Sequence, residues 1–164
     1  MAKLNSPFRL RLCVGLAIAL GTLLPQTAAR AQSPAGYDLL LEIIETINFV
    51  SVETAREAHA RCLDISKKLA DRKDVADIQR LYFEGMISSC ISYAMNNGQY
   101  ADATGDQCSH QFDYATKLNQ VVKMGAAKPE FATQLPNIKD TLDGAIQSGQ
   151  SVNCEQDFEA LKIQ

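Results

Sequence analysis

Cys62, Cys90, Cys108 and Cys154 each stand in an apolar stripe with helical spacing, and this constrains the fold more than any other feature. Phe83, Ile87, Cys90 and Ala94 recur at steps of four, three and four residues. Ala55, Cys62, Ile65 and Leu69 share a face in the same way, as do Cys108, Phe112 and Ala115, and Cys154, Phe158 and Leu161. Side chains three and four residues apart lie on one side of an α-helix, so each thiol is expected to point into a seam between helices. Reactive thiols favour electropositive, partly exposed surroundings, whereas thiols in a seam favour a crosslink.

The N-terminus agrees with that reading. "MAKLNSPFRLRLCVGLAIALGTLLPQTAARAQ" has a basic lead at Lys3, Arg9 and Arg11, then an apolar run over residues 12–24. Pro25 and Ala29-Arg30-Ala31 follow, with the small residues that a signal peptidase accepts at its −3 and −1 positions. Cleavage is expected after Ala31, leaving residues 32–164 as one helical domain. The apolar run falls short of the roughly 20 residues that span a bilayer. Cys13 lies at the start of that run, the wrong place for lipidation, and Leu10 separates Arg9 from Arg11, so no twin-arginine signal is present. Cys13 leaves with the leader, and an even set of cysteines in an exported chain predicts two disulfides. The expected location is periplasmic or secreted.

Residues 32–164 hold all 19 acidic residues but only 12 of the 16 basic ones, a net charge of about −7. Such a surface repels phosphate backbones and anionic lipid, so no nucleic-acid partner is expected, and no membrane partner after cleavage.

The rest of the chain reads as an all-α bundle of about five to six helices. No sustained apolar–polar alternation and no turn-punctuated strand ladder interrupts it. Helices are expected over 37–50, over 52–70 with Ser51 as N-cap, and over 75–96, where Asn97-Gly98 supplies a left-handed stop. The next start has two readings. Gly98, Gln99, Tyr100 and Ala103 are similar to the turn of a tetratricopeptide hairpin, although no 34-residue repetition follows. The favoured reading is a capping box with Thr104 as N-cap and Gln107 reaching back, opening a helix that ends near Met124 and Gly125. Pro129 opens a fifth helix that Pro136 kinks or restarts, running to about Ser148. "SGQS" reads as a loop, and a short last helix holds Cys154, Phe158 and Leu161.

Antiparallel register suggests the pairing. Cys90 and Cys108 lie symmetrically about Gln99, which places them level in a tight hairpin. A turn centred near Arg72 and Lys73 places Cys62 level with Phe83, leaving Cys90 about 10 Å further along. A disulfide needs Cα atoms within about 7 Å. Cys90–Cys108 and, by elimination, Cys62–Cys154 are therefore expected.

No pattern points to catalysis, and the chain is not expected to be an enzyme. It has no Gly-x-Ser-x-Gly, no Ser-x-x-Lys, no phosphate loop and no dinucleotide turn. Glu53 with Glu57, and Asp102 with Asp106, read as solvated surface charge rather than an acid–base pair. His59 and Cys62 share a helix face, and "CSH" sets His110 beside Cys108, but Cys-x-x-Cys and His-x3-His zinc spacings are missing. No metal and no other cofactor is expected. A small hydrolase or redox protein is the alternative from the enzymatic class.

Tyr82, Met86 and Tyr93, with Ser89, form a second stripe on the third helix, away from Phe83, Ile87 and Cys90. Tyrosine and methionine suit recognition surfaces, so this stripe is either a binding face or a second buried side of a central helix. "GMISSCISYAMNN", with Cys90 followed three residues later by Tyr93, resembles the periplasmic immunity proteins that neutralise secreted cell-wall amidases. Ser92 stands where that family has glycine, and its proline-marked segment after the next cysteine is missing. The resemblance implies an inhibitor that neutralises a toxin. The residues themselves imply a more general statement: an exported, disulfide-stabilised helical protein that binds a protein or small-molecule partner rather than catalysing.

Overall fold

A computed structural model describes residues 35–100, 105–152 and 154–162. The leader assigned to residues 1–31 lies outside the described residues, as does Thr104. Five helices make up the fold: α1 (Tyr37–Phe49), α2 (Ala55–Asp71), α3 (Asp77–Gly98), α4 (Gln107–Ala126) and α5 (Leu135–Ser151). Single 3-10 turns lie at Pro129–Phe131 and Glu159–Leu161, and no β-strand occurs among the described residues.

The longest helix, α3, is the centre. It packs against α1, α2 and α4, and α4 in turn carries α5. A helix surrounded in this way must be apolar on more than one side. Phe83, Ile87 and Cys90 are buried on one side of α3, while Tyr82 and Met86 are buried on another, all within one core cluster.

Side chains rather than sequence-regular caps set several helix ends. Thr54, not Ser51, is the N-cap residue of α2. Ser51 still takes part: its Oγ accepts from the Thr54 amide at 3.2 Å, while Thr54 Oγ1 donates to the Phe49 carbonyl at 2.6 Å. This exchange turns the chain from α1 into α2. Gln99, with φ 52° and ψ 48°, takes the left-handed conformation expected of Gly98. Asp106 caps α4 by accepting from the Ser109 amide at 2.7 Å, where the sequence suggested Thr104. Pro129 opens only a 3-10 turn, and Pro136 sits in the first turn of α5, where a missing N–H costs nothing. The short last helix reduces to the turn at Glu159–Leu161, with Cys154 outside it.

Both expected disulfides are corrected. The bonds are Cys62–Cys90, with Cα atoms 6.1 Å apart, and Cys108–Cys154, at 5.4 Å. Two geometric facts explain the change. First, level is not enough. Ser88 and Ser92 of α3 both reach α4, at Asp113 and Gln107. Cys90 is two residues from each, and at about 100° per residue it points to the far side of α3, towards α2. Second, the α2–α3 connection is not tight. Arg72 and Ala76 are extended, with ψ of 107° and 152°. Extended residues advance about 3.3 Å each against 1.5 Å in a helix, so α3 starts further along and Cys90 comes level with Cys62. The Arg80 guanidinium fixes this register by donating to the carbonyls of Leu69, at 2.7 Å, and of Arg72.

Candidate functional site

The stripe of Tyr82, Met86 and Tyr93 does not form one surface. Tyr82 is 2% exposed and Met86 0% exposed, so neither can meet a partner. Their burial follows from the central position of α3, which packs against α1, α2 and α4. Tyr93 is half-buried and packs on a small separate cluster of Val50, Ala58 and Ala94. Cys90 and Tyr93 both lie on α3.

Burial gives Tyr82 a testable consequence that it shares with Tyr114. Desolvation pushes both phenols well above their ordinary range, and for Tyr114 the neighbouring Tyr82 adds to the effect. The Tyr114 hydroxyl is buried without a hydrogen-bond partner among the described residues. The native state therefore keeps both protons where an unfolded chain would release them. That contribution is complete below about pH 10, the ordinary tyrosine value, and is lost as pH rises above it. Urea midpoints measured from about pH 8 to pH 11 should lose nothing to these groups at first and then fall above about pH 10, the slope from the two phenols approaching two protons, and Tyr82→Phe should remove about one of them. An unchanged slope in Tyr82→Phe would place its hydroxyl in contact with solvent.

A cleft of about 390 Å³ lies on another part of the molecule, where α2, α3 and α4 meet. α3 supplies Glu84, Ile87, Ser88 and Ile91; α4 supplies Ser109, His110, Asp113 and Lys117; α2 supplies Ser66. The construction begins at Gly85. A Cβ there would stand 3.1 Å from Lys117 Cβ and 3.6 Å from the Tyr114 carbonyl oxygen, so glycine lets α4 lie close on α3. Close packing brings opposite polar groups together along the seam. Ser88 Oγ donates to Asp113 Oδ2 at 2.5 Å, and Lys117 Nζ donates to Glu84 Oε2 at 2.6 Å. Its hydrogen bond to the Glu84 carboxylate raises the Lys117 pKa above its ordinary value, so this lysine is charged at neutral pH. Ile87 and Ile91, one helical turn apart, give the cleft an apolar floor.

A nucleophilic serine needs a base that withdraws its proton and a group that orients the base. Here the Ser88 hydroxyl donates to the Asp113 carboxylate, and Ser88 is only 8% exposed. His110 is half-buried and lines the cleft, while His59 is buried with its ring 5.7 Å from Tyr100. All four described cysteines are in disulfides, and no group of three His, Cys, Asp or Glu side chains placed to hold a metal occurs among the described residues.

Both crosslinks brace the cleft. Cys62 lies one turn before Ser66 on α2, Cys90 adjoins Ile91 on α3, and Cys108 adjoins Ser109 on α4. Most cleft residues escaped the sequence reading because each looks like ordinary surface polarity. The available signal was Gly85, Ser88 and Ser92, small residues spaced three and four apart on an otherwise apolar helix, which mark the line of close approach to α4.

No protein-family model matches this chain, and no curated protein or solved structure matches it significantly.

Proposed function

We propose that this is an exported, disulfide-braced helical protein that acts by binding a small molecule in the α2–α3–α4 cleft. The observation that carries the reading is the cleft: about 390 Å³ falls within the range of small-ligand sites, roughly 300–1,000 Å³. Its apolar floor and few convergent polar groups are what such sites use for affinity and orientation. Crosslinks on its walls support binding because a pre-organised site loses less entropy on occupation. Export is supported by the leader over residues 1–31 and by disulfides, which persist in oxidising compartments. Among the described residues no helix is long and apolar enough to cross a membrane.

Two measurements test the reading. Protein recovered from the periplasm should have the intact mass of a chain beginning at Gln32, and a chain still carrying Met1 in the membrane pellet would refute export. Oxidised protein should be screened by thermal shift against polar small molecules, alongside a variant with the cleft blocked by Ser66→Trp. Ser66 is exposed, so this change fills the cleft without disturbing the core. Ligands should stabilise the natural chain and not the blocked one. Stabilisation of both alike would move the site elsewhere.

A further inference from the structure

We infer that the cleft selects a small organic cation, a protonated amine bearing a short apolar group. The inference rests on the binding reading above and specifies the chemistry of the ligand. The cleft contains two carboxylates, Glu84 and Asp113, one ammonium, Lys117, and one imidazole, His110. Lys117 is committed to Glu84 at 2.6 Å. Asp113 receives a neutral hydroxyl, from Ser88. A carboxylate has about four acceptor positions, so Asp113 can accept further N–H donors from a ligand.

An anion entering the same space would meet the Asp113 charge, which Lys117 offsets only from a distance while it is hydrogen-bonded to Glu84. A cation meets a charge neutralised by no lysine or arginine salt bridge among the described residues. Ser66 and Ser109 are exposed at the rim, where their hydroxyls can accept from the remaining ammonium hydrogens. Ile87 and Ile91 can cover a short hydrocarbon portion, which a metal ion or a fully hydrated cation would leave unused. The negative charge of the chain as a whole, −3 over the full sequence, raises the local concentration of cations in the same sense.

The test uses three probes of nearly equal shape: butylammonium, butanol and butyrate. Each is titrated into oxidised protein at low ionic strength, with isoleucine methyl NMR signals as the readout. Butylammonium should shift Ile87 and Ile91 and bind at least about tenfold more tightly than butanol, with butyrate weakest; this ratio corresponds to about 1.4 kcal/mol. Asp113→Asn should bring butylammonium down to the level of butanol. Because that change also alters the Ser88 contact, Ser66→Arg provides a second test on an exposed side chain, and it should weaken butylammonium while strengthening butyrate. Equal binding of all three probes at Ile87 and Ile91, or a preference for butyrate, would overturn the cationic assignment and leave the cleft as a binding site. Absence of any shift from the three probes, together with a thermal-shift screen that finds no ligand, would overturn both.

Discussion

Replacing Cys62 and Cys90 together by alanine is expected to lower the unfolding free energy by about 4–5 kcal/mol, more than replacing Cys108 and Cys154. Loop length alone gives the opposite order. The first bond closes a sequence separation of 28 and the second one of 46. Chain entropy then assigns about 3.6 kcal/mol to the first and about 4.0 to the second. Packing reverses the order. Cys62 and Cys90 are both 0% exposed and join two core helices, so the native state cannot relax when their bond is gone. Truncation there also leaves unfilled space between α2 and α3, which adds to the loss. Cys154 is half-buried and lies in the terminal segment after α5. Without its bond that segment can fray, and fraying limits the cost to its own docking energy. Urea unfolding of the two double variants measures the order directly. The same exposure difference predicts that mild reductant opens Cys108–Cys154 first, as alkylation and peptide mapping would show. A larger loss from the Cys108/Cys154 variant would mean that the terminal segment is as firmly held as the core.

What could be read in the sequence, and what could not, follows from the kind of information each feature needs. The stripes of Cys62, Cys90 and Cys108 and the five α-helices depend on spacing within one element, which is a local property; the expected stripe of Cys154 fails because that residue lies outside any helix. The disulfide partners depend on the rotation of α3 about its axis relative to α2 and α4. Ser88 and Ser92 fix that rotation, but only once their partners Asp113 and Gln107 are known. Tyr82 and Met86 show the same limit. A second stripe on a helix marks either a surface for a partner or burial on two sides, and the choice depends on how many neighbours the helix has. The cleft was the least visible feature. Its polar groups come from three helices, and Glu84 and Lys117 are 33 residues apart in sequence yet in direct contact. Gln99 shows that local rules also yield to context: it is left-handed beside a glycine, while Gly98 stays helical and its missing Cβ, which would stand 2.4 Å from the Tyr100 ring, leaves room for that ring.

Gly149 illustrates the same conflict and gives the sharpest energetic prediction. The "SGQS" stretch reads as a loop because glycine weakens helices, yet α5 continues through it to Ser151. A Cβ at Gly149 would lie 2.2 Å from Phe158 Cζ and 2.3 Å from Cε1, so the ring occupies the place of the missing side chain. Phe158 is 2% exposed and meets the Phe112 ring edge-on at 5.2 Å, which anchors the terminal segment against α4 and α5. Phe158→Ala should therefore cost about 3–5 kcal/mol, in the range for large buried aromatic side chains. Gly149→Ala should cost about 3 kcal/mol, because the new methyl displaces the ring from its seat rather than nudging a flexible chain end. The two changes remove the same interaction, so their costs should not add. Once Phe158 is alanine the space beside residue 149 is open, and Gly149→Ala should become neutral or stabilising by up to about 1 kcal/mol through helix propensity. A double-mutant cycle in urea should thus return a coupling energy of about 3 kcal/mol. The Cys108–Cys154 bond keeps the segment tethered in all four proteins, which lets unfolding be compared on one footing. Additive losses would show that Gly149→Ala acts through the helix backbone and not through the ring of Phe158.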